Sequence, residues 1–324
     1  NMDTQSFNLN SSSSSNEGSS WLKWIFTKIL LPVTLPIMLI RVFLSSYSTR
    51  WLKGKVVLIT GASSGLGEAL AHKFYSHGCK VILVSRRREE LERVKSDLLE
   101  QHSTSPTYPP VVFPMDISEL NSIPAKVSEI LKIHQGVDIL VNNAGVSYRG
   151  SVEETSLEVH VKVMVTNYFG QVALIKAVLP HMIGQRQGHI LVISSIQGLV
   201  ALPHRSAYTA SKHAMQGFCD SLRSEVAPYA IKVTVASPGY IHTNLSINAL
   251  TSTGGCHGVM DKSTHEGMSP HECATKILSA MVKQDQEVMI APVIPRLLVY
   301  LRFLCPQLYF WLMEKRAIQN NKVQ

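Results

Sequence analysis

Acidic residues are missing from the whole of 21–60, where Lys23, Lys28, Arg41, Arg50, Lys53 and Lys55 stand among apolar side chains. Residues 292–324 hold five basic residues and one acidic one, while 1–20 carry two acids, so the net charge of +8 sits in the flanks and 61–291 is neutral. A nucleic-acid binder would carry its basic face on the folded domain itself; basic residues bracketing apolar segments point to a membrane surface. Long uncharged runs are scarce too. Cysteine is sparse: Cys79, Cys219, Cys256, Cys273 and Cys305 are odd in number, widely spaced and contain no Cys-x-x-Cys, which excludes a disulfide-built scaffold. His257, His265 and His271 near Cys256 and Cys273 match no zinc spacing, so no metal site is expected. With 324 residues, 45% hydrophobic and 17% charged, the chain is long enough for one sizeable core with appendages.

Four regions follow: a Ser/Asn-rich tail at 1–20 with no apolar period, read as disordered; a membrane anchor at 21–44; a catalytic domain at 50–291; and an apolar extension at 292–324. Within the anchor the uncharged stretch 29–40 would be about 18 Å long as helix, against about 30 Å of hydrocarbon. It spans only if Lys28 and Arg41 reach toward the two surfaces, and Pro32 and Pro36 would kink it. A surface-lying helix and a cleaved signal are the alternatives, though no good small-residue cleavage site follows Leu44. Two basic residues precede the apolar run and four follow it, which places the catalytic domain on the cytoplasmic side. Sugar on Asn244, in the sequon Asn244-Leu245-Ser246, would reverse that topology. The extension, interrupted by Pro295, Arg296, Arg302 and Pro306, is expected to lie on the bilayer or to roof a lipid entry channel, with burial against the sheet as the alternative. The closing Lys322-Val323-Gln324 matches no peroxisomal or endoplasmic-reticulum retention signal.

Between the flanks, strand and helix patterns alternate. Strands are predicted at 55–60, 80–85, 111–115, 138–142, 188–194, 232–237 and 287–291, with helices near 65–77, 88–101, 119–134, 156–182, 207–228 and 270–283. Right-handed crossovers then give an α/β, Rossmann-type, doubly wound seven-stranded parallel sheet. After the first strand comes Gly61-Ala62-Ser63-Ser64-Gly65-Leu66-Gly67 and then a helix, an order that makes a pyrophosphate site of backbone N–H groups and a helix N-terminus. Further on, Ser195 closes an apolar strand, and Tyr208 and Lys212 stand at i and i+4 on one helix face. A neighbouring ammonium favours a phenolate, so Lys212 is expected to lower the Tyr208 pKa from its ordinary ~10. Tyr208 then serves as general acid in ketone reduction, and Ser195 holds the same oxygen.

In this order the motifs resemble the short-chain dehydrogenase/reductase family: Thr60-Gly61 through Gly67, Asp116, Asn142-Asn143-Ala144-Gly145, Asn167, Ser195, Tyr208 with Lys212, and Pro238-Gly239 with Thr243. The resemblance implies a dinucleotide held by Gly61, Ser63, Ser64, Gly65, Leu66 and Gly67. It implies that Asp116 meets the adenine, that Asn142, Ala144 and Gly145 line the floor by the nicotinamide ribose, and that Pro238, Gly239, Ile241 and Thr243 hold the carboxamide side. Lys212 would double as a ribose ligand, Asn167 would keep a water in a proton relay to Lys212, and the assembly would be a homodimer or homotetramer. Stretches around 146–150, 193–198, 205–208 and 237–246 further resemble membrane-bound members of the family that reduce acyl- or alkyl-dihydroxyacetone phosphate. That implies a lipid-like ketone as substrate and the endoplasmic reticulum or peroxisomal membrane as location.

At the end of the second strand, Ser85 replaces the carboxylate that would bind an unphosphorylated ribose, and Arg86 follows, suited to a 2′-phosphate; NADPH is the expected cofactor. Arg87 and Arg88 read as a solvated helix start. The glycine-bearing stretch 240–268 is long enough to be a lid. Arg149 and Arg205, near the pocket mouth, are candidates for binding a substrate phosphate. A hydroxysteroid or retinoid dehydrogenase shares every catalytic residue and remains an alternative; a non-catalytic nucleotide-binding scaffold is the other.

Overall fold

The computed structural model describes residues 49–102 and 108–321, with Lys28 and Pro32 besides. Apart from those two positions, the 1–20 tail and the 21–44 anchor lie outside the described residues. Seven strands form one parallel sheet: β1 (Val56–Thr60), β2 (Lys80–Ser85), β3 (Val111–Pro114), β4 (Ile139–Asn142), β5 (Gly188–Ile193), β6 (Ile231–Pro238) and β7 (Glu287–Ile290). Their spatial order is β3-β2-β1-β4-β5-β6-β7, so the order reverses between β1 and β4 and leaves a crevice at their carboxyl ends.

Strand side chains alternate between faces, and each face has its own core. Val57, Ile59, Val81 and Leu83 pack toward α1 (Gly65–Ser76), α2 (Arg88–Gln101) and a later helix, Pro270–Val282, through Leu70, Phe74, Leu91, Leu98, Ile277 and Met281. Val56, Leu58, Ile82 and Val84 face the other way, against α3 (Ile123–Ile133), α5 (Gly170–Gln185), which continues α4 (Leu157–Met164), and α6 (Ser206–Val226), while Val159 and Val163 of α4 pack with Tyr148, Ala207, Tyr208 and Leu250. Leu174, Val178, Met215 and Leu222 fill that second layer. Apolar as it is, the 29-residue helix 157–185 is thus a core helix of the domain by its contacts.

The predicted elements agree with these to within a few residues, and the departures have local causes. The third predicted helix starts with a separate 3-10 turn at Leu120–Ser122, because Pro124 opens α3 and has no N–H to give. The fourth runs on past Pro180 to Gln185 and contains a π turn, Val165–Phe169, between α4 and α5. The 240–268 stretch folds over the crevice and carries a short helix, α7 (Lys262–His265). It is tied down at its middle and its ends: Arg149 and Ser147 exchange backbone hydrogen bonds with Leu250, and Tyr240 and His242 do so with Met268. α8 (Pro270–Val282) then starts under a Ser269 cap that accepts from the Glu272 N–H.

The extension forms two helices, α9 (Val293–Leu304) and α10 (Pro306–Asn321), broken at Cys305-Pro306. One side packs on the domain: Tyr309 is buried, its hydroxyl donating to the Ala201 carbonyl and accepting from the Ala201 N–H, while Arg302 reaches the Leu199 carbonyl and His213. The other side leaves Ile294, Leu297, Tyr300, Phe303, Leu304 and Phe310 more than half exposed. Packing and exposure therefore coexist in this segment.

Under β5, His189 is buried beside Thr234 on β6. The Thr234 hydroxyl donates its one hydrogen to the Asp285 carbonyl, so the His189 Nε2–H must be the donor to Thr234. Burial, then Lys232, pulls the His189 pKa down to about 4. Because the unfolded chain binds the proton first, stability is full above about pH 6.5 and falls toward pH 4. Denaturant melts should show about 2 kcal/mol less stability at pH 5 than at pH 7 from this group, and His189→Gln should remove that share of the loss.

Candidate active site

A cavity of about 800 Å³ opens in the crevice, and nearly every residue singled out for a site meets there. One wall is the turn after β1. Gly61 and Gly65 have φ of +66° and +60°, in the left-handed region open to glycine. Gly67 has a different reason: a Cβ there would lie 2.1 Å from the Gly61 carbonyl oxygen and 2.6 Å from Asn143 Nδ2. Ser63, Ser64 and Leu66 line the same wall, and Thr243 packs its methyl group over Gly65.

At the far end Ser85, Arg86 and Asp116 line the cavity. The Ser85 Oγ is buried and has no hydrogen-bond partner. Arg86 is largely exposed, with Nη1 at 3.7 Å from Asp116 Oδ2, and Asp116 is held by the Ser118 N–H and hydroxyl. Arg87 is exposed and stands at the N-cap of α2, as a solvated helix start would, but its side chain also has partners. It donates to Ser63 Oγ (3.0 Å) and Ser64 Oγ (3.3 Å), bracing the glycine turn from the end of β2. Sequence reasoning missed these contacts because a three-arginine run gives no sign of which side chain reaches the glycine turn. Arg88 does pair along its own helix, with Glu92.

The floor also needs a correction. Asn142 is fully buried, with Nδ2 donating to the Gln171 carbonyl, and it does not line the cavity. Ending β4 with its side chain toward α5, it leaves the floor to Asn143, Ala144 and Gly145. Asn143 Nδ2 donates to the Thr60 carbonyl (3.0 Å), fixing β4 to the glycine turn. Strand alternation separates Asn142 from Asn143 and was the available signal. Pro238, Gly239, Ile241 and Thr243 close the remaining side, joined by Tyr240.

Ser195, Tyr208 and Lys212 share the opposite wall. Ser195 follows β5 in extended conformation and its Oγ accepts from the Gln197 N–H at 3.1 Å. Lys212 Nζ lies 5.8 Å from the centre of the Tyr208 ring and donates to the Ile193 carbonyl at 2.9 Å, below the phenol and beside Gly145. The expected lowering of the Tyr208 pKa does not hold here. Burial raises it, more than the Ser195 hydroxyl and the Arg149 charge lower it. Burial also pulls Lys212 down to about 8, so the pair is buried at a cost to both charged forms.

Asn167 sits in the π turn, a local widening common at functional sites. Its Oδ1 accepts from the Val146 N–H (2.8 Å), and its Nδ2 donates to the Val146 carbonyl (2.9 Å) and Ser211 Oγ (3.0 Å). The side chain is thus a clamp that fixes the 145–147 loop to α6, and its Oδ1 and the Lys212 Nζ lie 3.1 and 3.8 Å from where a Cβ on Gly145 would stand.

Arg149 lines this cavity and also a second one of about 810 Å³, which Arg205 and Arg316 line too. Both Arg149 and Arg205 are engaged by Asp261 of the lid, a partner the sequence reading did not name. Among the described residues none beyond Thr264 lines the first cavity, so the described part of the extension does not roof it. His257 faces Asp261, His265 stacks with His242 and His271 lies against His72; among the described residues no three His, Cys, Asp or Glu side chains converge as metal ligands would. All five cysteines are free thiols.

The arrangement suits a dinucleotide. An unpartnered buried hydroxyl at Ser85, a turn whose backbone a Cβ would fill, and a crevice at the sheet's switch point are what such a ligand requires. Comparison with known proteins agrees. Residues 55–253 match the short chain dehydrogenase family. A dehydrogenase/reductase SDR family protein 7-like of Anopheles gambiae is 54% identical over 301 residues, covering 92% of this chain and 95% of that protein. A dehydrogenase/reductase SDR family member 7B of Bos taurus is 49% identical, covering 84% of each. Among solved structures, a metagenomic short-chain oxidoreductase in complex with NADP superposes with a TM-score of 0.61 at 27% identity, covering 76% of this chain and all of that one. By motif, fold and relatives alike, this chain belongs to the short-chain dehydrogenase/reductase family.

Proposed function

We propose that this oxidoreductase uses NADPH to reduce the ketone of a lipid-like substrate at a membrane, with Tyr208 as the proton donor. The observation that carries the reading is convergence: Ser195, Tyr208 and Lys212 line one wall of the cavity whose other wall is the Gly61–Gly67 turn. NADPH, when bound, supplies the hydride for the carbonyl carbon. The protein's own part is to hold and protonate the oxygen. Ser195 Oγ and the Tyr208 hydroxyl take that oxygen between them, and Tyr208 gives up its proton as charge develops there. Lys212, buried under the phenol, offsets the phenolate that is left, and its bond to the Ile193 carbonyl keeps it in place. The raised pKa of Tyr208 keeps the phenol protonated until that moment, which suits an acid.

The choice of NADPH rests on three residues. Ser85 offers no charge to repel a 2′-phosphate, Arg86 is exposed enough to swing onto it, and Arg87 already stands in the cavity. An acyl- or alkyl-dihydroxyacetone phosphate fits the cavity's apolar Val146, Leu245 and Leu250 together with the charge of Arg149. Membrane attachment is supported by the 21–44 sequence and by the exposed apolar side of α9 and α10. A cytoplasmic catalytic domain on the endoplasmic reticulum or peroxisomal membrane, as a homodimer or homotetramer, completes the reading. The test is oxidation of NADPH and NADH by the purified full chain with a long-chain acyl-dihydroxyacetone phosphate, ketosteroids and retinal side by side. In the Arg86→Ala variant, KM for NADPH should rise at least tenfold while that for NADH moves less than threefold. Equal losses would refute the NADPH assignment, and turnover confined to steroids or retinal would replace the lipid ester.

A further inference from the structure

The wall between the two cavities is a charge cluster that the reduction chemistry does not use. Asp261 comes from the lid, at the start of α7, and reaches across 112 residues of sequence to Arg149, whose Nε and Nη2 donate to its Oδ2 at 2.8 and 2.5 Å. Arg205 Nη2 approaches the same oxygen at 3.4 Å, and His257 Nε2 stands 3.4 Å from Oδ1. The three main side chains are only 11%, 18% and 19% exposed. Two guanidinium groups forking around one oxygen is how proteins hold a phosphate or carboxylate ligand; here the ligand is the protein's own.

The charges do not balance. One carboxylate faces two guanidinium groups, and Arg316 of α10 adds a third positive charge to the second cavity. Glu153 and Glu154 also line it, but both are exposed, and Glu154 accepts from Ser151 Oγ. Arg149 is otherwise well held, its Nη1 donating to Ser147 Oγ and the Tyr148 carbonyl, and Arg205 Nη1 donates to the His204 carbonyl. The arginines are thus fixed from the body of the domain, while the carboxylate arrives on the lid. Between Leu250 and Asp261 the lid turns at Gly254 and Gly258, with φ of +86° and +70°, and the Gly258 N–H donates to the Ile247 carbonyl and the Asp261 N–H to Ser246 Oγ, so the carboxylate is carried by the lid's own hydrogen-bonded backbone.

We propose that Asp261 is an internal counter-anion which a phosphate monoester displaces: the phosphate takes its place on Arg149 and Arg205, and the lid around α7 is released. A phosphate monoester, at about −1.5 to −2, balances two guanidinium groups where a carboxylate leaves an excess. Arg149 borders both cavities, so a phosphate bound there lies at the edge of the chamber that holds Tyr208. The latch thereby selects substrates carrying a phosphate over neutral ketones, and it rests on the reductase reading for the ketone but not for the phosphate.

Binding to the purified full chain in detergent tests it without turnover. Inorganic phosphate and a 1-acylglycerol phosphate are titrated calorimetrically into the unaltered protein, Asp261→Asn and Asp261→Asn/Arg205→Ala. Removal of the competing anion should tighten both ligands at least tenfold, and the second substitution should abolish the gain. Tightening of the acylated ligand alone would assign the site to a lipid phosphate, tightening of both to phosphate as such. No gain in Asp261→Asn, or no phosphate binding to either protein, overturns the proposal. Should Asp261→Asn fail to fold, hydrogen exchange on the unaltered chain decides. Lid amides in 246–267 should exchange at least threefold faster with saturating 1-acylglycerol phosphate, and unchanged or slower exchange counts against the latch. Failure to oxidise NADPH with any ketone would sink the reductase and leave these outcomes standing.

Discussion

Tyr208→Phe is expected to lose at least about a thousandfold in kcat while binding the dinucleotide as the unaltered chain does. The substitution removes one oxygen and leaves the ring, which is buried against Ala207, Val159 and Tyr148. The wall keeps its other anchors without that oxygen: the substitution gives up the Tyr208–Ser195 hydrogen bond, but Lys212 is held by the Ile193 carbonyl, and Ser195 Oγ accepts from the Gln197 N–H. Stability should therefore change by no more than about 1 kcal/mol. A fall in kcat without a fall in cofactor affinity or melting temperature separates proton donation from a structural role. Retention of more than a tenth of the activity would transfer the proton to another group.

Gly67→Ala should have the second large effect, through the backbone. The added methyl group would stand 2.1 Å from the Gly61 carbonyl oxygen, an atom fixed at the end of β1 with no side-chain freedom to yield. Either the glycine turn or the start of α1 must shift, at a cost of about 3 kcal/mol, the upper end for overpacking. The shift also moves the N–H groups of the turn, so dinucleotide affinity should fall at least a hundredfold. Gly217→Ala is the control. That glycine lies exposed in α6 with nothing within 4 Å, and alanine there should stabilise by up to about 1 kcal/mol. Calorimetric melting and fluorescence titration of NADPH read both variants.

The contrast between these glycines shows what was legible in the sequence. Gly61, Gly65 and Gly67 announce a phosphate turn because strand, glycines and helix follow in a fixed order, and the seven strands are plain because each is a short apolar run. Ser195, Tyr208 and Lys212 were found by chain order and helical spacing alone. What could not be read depends on orientation in three dimensions. Asn142 and Asn143 are adjacent in sequence, yet the pleat sends one into α5 and the other to the cavity floor. Arg87 looks like its neighbours until the glycine turn is brought beside it. Asp261 has no motif at all; only the folding of the lid places it on Arg149 and Arg205.

Electrostatics was the other limit. Spacing puts an ammonium near a phenol, and Coulomb attraction alone would lower the phenol's pKa. The fold buries both groups, and the loss of water dominates each: Tyr208 is pushed up, and Lys212 is drawn down to about 8. The pair is better described as a neutral acid waiting above a lysine close to its own titration than as a ready phenolate. Cofactor and substrate then set the charge the site finally carries.

The most direct test of the central claim is the structure of the full chain with NADP and a ketone-derived alcohol bound together. The phenolic oxygen of Tyr208 and Oγ of Ser195 should both lie within about 3.2 Å of the one substrate oxygen whose carbon faces the nicotinamide. An alcohol seated elsewhere, or held by Ser195 with Tyr208 turned away, would contradict the account.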